Sequence, residues 1–297
     1  DLLILGPAGS GKTSVGLHRF AYLLYRYRAS LSNKNFLIIS RNGMFSSYIG
    51  DILPELGEED ARCLIYDDIL LPLVDQKYTF PSYQDQLDYL ATAQPGEKRL
   101  AGIRIKSSFS FLERVRRHFT GHCFIMPDIC ADGEILMHAQ DFTQRCNTMH
   151  KTRPFAAVLS YARDCVKSVL DEYFERNCER IRKQLSKEHE DIFPDELEAA
   201  FFRLKREAYD SALRFIDQKN APQPESLYMQ LLREELEALN ENRYILNMTR
   251  QNLECGRIEY EDALALALIR ALSGDLPPST AVRQVLLDEA QDFSPFH

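Results

Sequence analysis

The sequence predicts an α/β fold in which a parallel β-sheet is interrupted by a large α-helical insertion. Three observations carry that expectation. An apolar run, a glycine-rich turn and a helical pattern follow one another directly at the start of the chain. Strand-like and helix-like patterns then alternate as far as residue 66. The last strand-like run, Val285-Leu286-Leu287, arrives only after a long tract of mainly helical periodicity. Residues 1–66 and 258–297 are therefore expected to form one α/β domain, and residues 67–257 an α-helical subdomain inserted into it.

Leu2-Leu3-Ile4-Leu5 is short, apolar and free of charge, which predicts a buried parallel strand. The next eight residues, Gly6-Pro7-Ala8-Gly9-Ser10-Gly11-Lys12-Thr13, fit the phosphate-binding pattern G-x-x-x-x-G-K-[ST] in full. Glycines at these positions let the backbone turn its N–H groups inward around phosphates. A helix predicted over Ser14–Arg28 adds the positive end of its dipole to the same spot. Gly6, Ala8, Gly9, Ser10, Gly11, Lys12, Thr13 and Ser14 are thus candidate nucleotide-binding residues. Lys12 is expected to reach the β- and γ-phosphates, and the Thr13 hydroxyl to face Mg²⁺.

Asn35–Ser40 predicts a second buried strand. Asn42 is a plausible N-cap for a helix carrying Met44, Phe45, Tyr48, Ile49, Ile52 and Leu53 until Pro54 and Gly57 end it. Cys63–Tyr66 predicts a third strand. Within the insertion, helices are expected over Phe109–Phe119, Phe155–Leu185, Pro194–Asp217 and Glu225–Glu254, the last with a break near Asn240–Asn242. Leu197, Phe201, Leu204, Ala208, Ala212 and Phe215 keep amphipathic spacing. The helical pattern closes with Tyr260–Leu272, and Gly274 and Pro277-Pro278 lead into the final strand.

That strand delivers Asp288-Glu289-Ala290-Gln291-Asp292 at its C-terminal tip, where open α/β sheets place their ligands. A phosphate loop needs such a partner to hold the metal and position the attacking water. Asp288 is the candidate metal residue, acting through water. Glu289 is the candidate for polarising that water, because a carboxylate beside the γ-phosphate can accept its proton. The alternative is an acidic cap on a following helix.

Net charge is −8, the wrong sign for a protein whose whole surface grips phosphate. Residues 1–66 carry 7 basic and 6 acidic side chains, residues 67–257 carry 27 and 31, and residues 258–297 carry 2 and 7. Any nucleic-acid contact must be local, and the acidic insertion favours a protein partner. No apolar run is long enough to span a bilayer, so no membrane association is expected. Seven cysteines without a C-x-x-C pair point to a reducing compartment, here the cytoplasm. His118, His122, Cys123 and Cys130 match none of the common zinc frames.

The glycine loop at 6–13 together with Asp-Glu-Ala-Gln-Asp at 288–292 resembles the first and second motifs of superfamily 1 UvrD/Rep-type helicases. Asn42-x-x-Phe45-x-x-Tyr48-Ile49 running into Leu53-Pro54-Glu55-Leu56-Gly57, the stretch Leu17–Tyr25, and Gln291–Phe296 narrow the resemblance to the HelD-type helicase-like ATPases that associate with bacterial RNA polymerase. The resemblance implies a RecA-like P-loop NTPase sheet, ATP with Mg²⁺ as cofactors, and Lys12, Glu289 and Gln291 as catalytic residues. It implies single-stranded DNA or RNA as a partner, with Ser40, Asn42 and Phe45 aligned to the motif that touches the strand. A capped helix with core aromatics is the other reading of those three. RNA polymerase and a second RecA-like domain of the same protein are further implied partners. The family's adenine-reading glutamine, arginine fingers and second motor domain have no counterpart in these residues, so ATP is expected to bind weakly and turn over very slowly. A small-molecule kinase or a nucleotide-dependent switch on the same loop is the alternative function.

Overall fold

The computed structural model describes residues 2–7, 9–27, 36–40, 62–188, 193–221, 223–240, 243–274, 282–292 and 294–296. The chain divides into two compact units. The first comprises residues 1–112, 232–268 and 276–297, and the second residues 113–231 and 269–275. The fold is mixed α/β and mostly helical, with a small parallel sheet. Among the described residues, no helix is long and apolar enough to cross a membrane.

In the first unit three strands, Arg62–Ile65, Phe36–Ser40 and Gln284–Leu287, pair in that order, and both pairings are parallel. Ile38 is fully buried in the central strand, level with Cys63 on one side and Leu286 on the other. The sheet thus joins residues from two distant parts of the chain. The helix predicted from Asn42 onward lies outside the described residues.

The predicted strand at Leu2–Leu5 is a correction. These residues join no strand, and Leu2, Leu3 and Leu5 are 57%, 73% and 82% exposed. An apolar run forms a parallel strand only where a ladder and covering helices repay its ordering. Here the ladder ends at Gln284–Leu287, whose own Val285 and Leu287 are exposed.

The first helix runs Lys12–Arg26 and buries Gly16, Leu17, Phe20 and Leu24, one face of a helical period. Gly16 sets how closely that face approaches the sheet. A Cβ there would lie 2.9 Å from Leu286 Cδ1. Gly16→Leu is therefore expected to lose about 1–3 kcal/mol by overpacking. Gly16→Ala should come out near neutral, since a small shift of one methyl is offset by roughly 1 kcal/mol of helix propensity. Urea titration of both variants checks this, and equal stabilities would contradict the close approach.

The same unit holds helices Tyr83–Thr92 and Lys98–Lys106, which periodicity alone does not announce. The first is opened by a capping box, Ser82 and Asp85 bonding each other's backbone N–H groups. Helix Tyr260–Ser273 is buried on every side from Tyr260 through Ala267. It also carries two buried acids, Glu261 and Asp262, and Lys106 meets them: its Nζ lies 2.6 Å from Asp262 Oδ1 and 3.9 Å from Glu261 Oε1.

The second unit is organised on helices Phe155–Glu188 and Pro194–Asn220. Arg163 bonds Asp217, Asp171 accepts from Tyr209, and Arg182 pairs with Glu198. Partner numbers running in opposite directions mark an antiparallel pair. Strands Ile129–Ala131 and Glu134–Met137 form a hairpin around Asp132 at φ 50° and Gly133 at φ 76°. That is the left-handed pair a two-residue Asp-Gly turn supplies. Asn220, fully buried, bonds the backbone N–H and carbonyl of Ile125 and so ties the end of its helix to that loop. His122 packs against the rings of Phe124 and Phe155, and burial holds its imidazole below the ordinary histidine range.

Candidate functional site

Backbone conformation shapes the glycine loop. The Ser10 N–H donates to the Pro7 carbonyl at 3.3 Å, closing a turn in which Gly9 has φ 76°. Gly11 follows at φ 79° as the N-cap of helix Lys12–Arg26. Side chains rarely adopt these angles, so glycine is needed at both positions. A Cβ at Gly6 would sit 2.5 Å from Ser10 Oγ, so a side chain there would require the serine hydroxyl to turn aside. Among the described residues no side chain caps the helix. Its leading N–H groups, at Lys12, Thr13 and Ser14, are thus the kind that anions satisfy. Ala8 lies outside the described residues.

Lys12 Nζ donates to the Pro7 carbonyl at 3.0 Å, folding the ammonium back across the loop. Thr13 points the other way. Its hydroxyl donates to Asp288 Oδ1 at 3.1 Å, a contact between residues 275 positions apart. Asp288 is placed there by the sheet: its N–H donates to the Ile39 carbonyl at 3.2 Å, carrying the parallel ladder one step past Leu287. Burial lifts the Asp288 carboxyl above its ordinary range and Glu289 adds to the rise, while the Thr13 hydroxyl and Lys12 oppose it.

Glu289 is exposed and sits at φ 50°, an unusual angle for a side-chain-bearing residue. Gln291, in the short turn Ala290–Asp292, donates its amide to the Glu289 carboxylate. Ser40 ends the central strand at the level of Asp288. Asn42 and Phe45 lie outside the described residues. The structure thus brings Lys12, Thr13, Asp288, Glu289 and Gln291 to one end of the sheet. Gly16, which fixes the distance between the loop's helix and the acidic strand, was missed by motif reading. Its signal was a glycine inside an otherwise regular helical pattern.

Thr13 Oγ1 and Asp288 Oδ1, 3.1 Å apart, are hard oxygen donors of the kind Mg²⁺ favours, with Asp288 suited to act through a bound water. Among the described residues, no group of three or more His, Cys, Asp or Glu side chains is gathered for a metal. A divalent ion here would draw its remaining ligands from water and phosphate, the usual habit of Mg²⁺. No family model matches the chain, and no curated protein matches it.

Proposed function

We propose that the chain binds ATP with Mg²⁺ through a RecA-like P-loop site and forms part of a superfamily 1, HelD-like motor. In this reading the motor couples ATP hydrolysis to movement on, or remodelling of, nucleic acid and its complexes with RNA polymerase. The observation that carries the reading is the Thr13–Asp288 contact, which puts the glycine loop against the acidic strand end at the carboxyl edge of a parallel sheet. The loop's N–H groups and Lys12 hold the phosphates, and Thr13 and Asp288 hold the metal side of the triphosphate. Bound there, Mg²⁺ would supply charge neutralisation to the triphosphate. Glu289 orients and deprotonates the water, and Gln291 fixes the Glu289 carboxylate.

The test is the Mg²⁺ dependence of nucleotide affinity, read with a fluorescent ATP analogue. Mg²⁺ should tighten binding to the wild type, and Asp288→Asn should remove about tenfold of that gain while leaving the Mg²⁺-free affinity nearly unchanged. Affinity that ignores Mg²⁺ in both proteins would refute the assignment. A kinase on the same loop would instead show ADP release that depends on a small phosphate acceptor.

A further inference from the structure

A cluster of basic residues lies in the first unit, away from the glycine loop in sequence. Helices Pro224–Ala238 and Arg243–Cys255 line a cavity of about 600 Å³. From the first helix and its end come Arg233, Leu236, Glu237 and Asn240, and from the second Arg243, Leu246, Asn247 and Arg250. Arg233, Leu236 and Glu237 share one face of the first helix, with Asn240 just beyond its end, and Arg243, Leu246, Asn247 and Arg250 share one face of the second.

Such facing stripes ordinarily carry apolar residues. Here only Leu236 and Leu246 are apolar and buried, and they make a floor. The walls are arginine and asparagine, both good donors. Among the described lining residues three guanidinium groups stand against one carboxylate, Glu237, a positive balance in a chain of net charge −8. Among the described residues, arginine ion pairs are formed by Arg99, Arg116, Arg163, Arg176, Arg180, Arg182 and Arg206, whereas Arg233, Arg243 and Arg250 form none. The three are exposed, so their charges are hydrated and available. The N-terminal turn of helix Arg243–Cys255 adds partial positive charge, and the C-terminal end of Pro224–Ala238 offsets it by a similar amount. The arginines decide the sign.

We infer that this cavity binds a phosphoryl group, held by the guanidinium forks of Arg233, Arg243 and Arg250 with Asn240 and Asn247 as neutral donors. Guanidinium matches phosphate in a planar, two-bond geometry that lysine cannot supply. The phosphoryl group belongs either to a nucleic-acid backbone or to a free phosphate compound. The inference does not depend on nucleotide binding at the glycine loop.

The test uses the full chain carrying Lys12→Ala, so that the loop contributes nothing, with a fluorescein-labelled oligothymidylate and inorganic pyrophosphate as probes. Arg243→Glu/Arg250→Glu should weaken oligothymidylate binding about tenfold or more and lower the salt dependence by about two phosphate contacts. Arg243→Lys/Arg250→Lys should keep the salt dependence but lose part of the affinity. Arg214→Glu, an exposed charge reversal on another helix, should change neither, and circular dichroism confirms that each variant is folded. Loss of oligothymidylate binding without competition from pyrophosphate assigns the cavity to a phosphodiester backbone. Pyrophosphate binding that is itself lost in the charge-reversed protein assigns it to a free phosphate. Failure of both probes to bind, or binding that the reversal leaves unchanged for every probe that does bind, overturns the inference.

Discussion

Lys106→Met is expected to lower stability by about 3–5 kcal/mol. Lys106, Glu261 and Asp262 are all buried, with side chains no more than 5% exposed. The ammonium stands 2.6 Å from Asp262. The second Asp262 oxygen accepts the Glu259 N–H at 3.1 Å, and Gln86 donates to Glu261 at 3.3 Å. Methionine fits the lysine stem but leaves two carboxylates facing each other in a dry interior. Because the loss arises from uncompensated charge, Lys106→Met/Glu261→Gln/Asp262→Asn should recover most of it. The chain has no tryptophan and 14 tyrosines, so tyrosine fluorescence during urea unfolding reports the transition. A loss under 1 kcal/mol in the single variant would mean that the cluster is hydrated.

The cluster also sets a pH signature. Burial, with repulsion from Asp262, pushes the Glu261 carboxyl up to about 7, against the lowering effect of Lys106. Its unfolded value is about 4.3. A group raised on folding contributes stability that is complete below the unfolded value and lost as pH climbs through the folded one. Stability from Glu261 should therefore decline between about pH 4 and 7. Buried His122, held low, contributes in the opposite sense, since its stabilisation is lost as pH falls. The difference between wild type and Glu261→Gln across that window isolates the carboxyl, and a pH-independent difference would exclude the assignment.

Lys12→Ala is expected to weaken ATP-analogue binding by about two orders of magnitude, near 3 kcal/mol. Among the described residues the ammonium is held by one neutral carbonyl, that of Pro7. A triphosphate replaces that bond with charge-assisted contacts worth about 1.5–3 kcal/mol each. The fold should be indifferent to the change, because Lys12 reaches only across an exposed loop. Equal affinity in variant and wild type would show that the glycine loop does not hold the nucleotide.

Much of the helical architecture was legible in the residues. Helices expected at Phe109–Phe119, Phe155–Leu185 and Pro194–Asp217 are found within three residues of those bounds, since apolar periodicity and proline stops are local signals. The break expected near Asn240 separates two observed helices, and Asn240 itself stands at φ 53°. The hairpin at Asp132-Gly133 was readable from its turn residues but lies between short, weakly alternating strands. Helices Tyr83–Thr92, Lys98–Lys106 and Ala139–His150 are short and mixed in polarity, so no periodic stripe announces them.

The sequence by itself determined which residues were able to form a phosphate loop. The need for glycine at positions 9 and 11 is a property of local φ, and the lysine and threonine that follow are fixed by spacing. Only the tertiary structure decided what that loop faces. Thr13 meets Asp288 because two parallel strands, distant in the chain, lie side by side, and a glycine at position 16 lets the helix approach them. It also decided that Leu2–Leu5 stays out of the sheet, that one lysine answers two buried acids, and that three arginines share a cavity. Each depends on long-range proximity, which residue pattern and propensity do not encode locally.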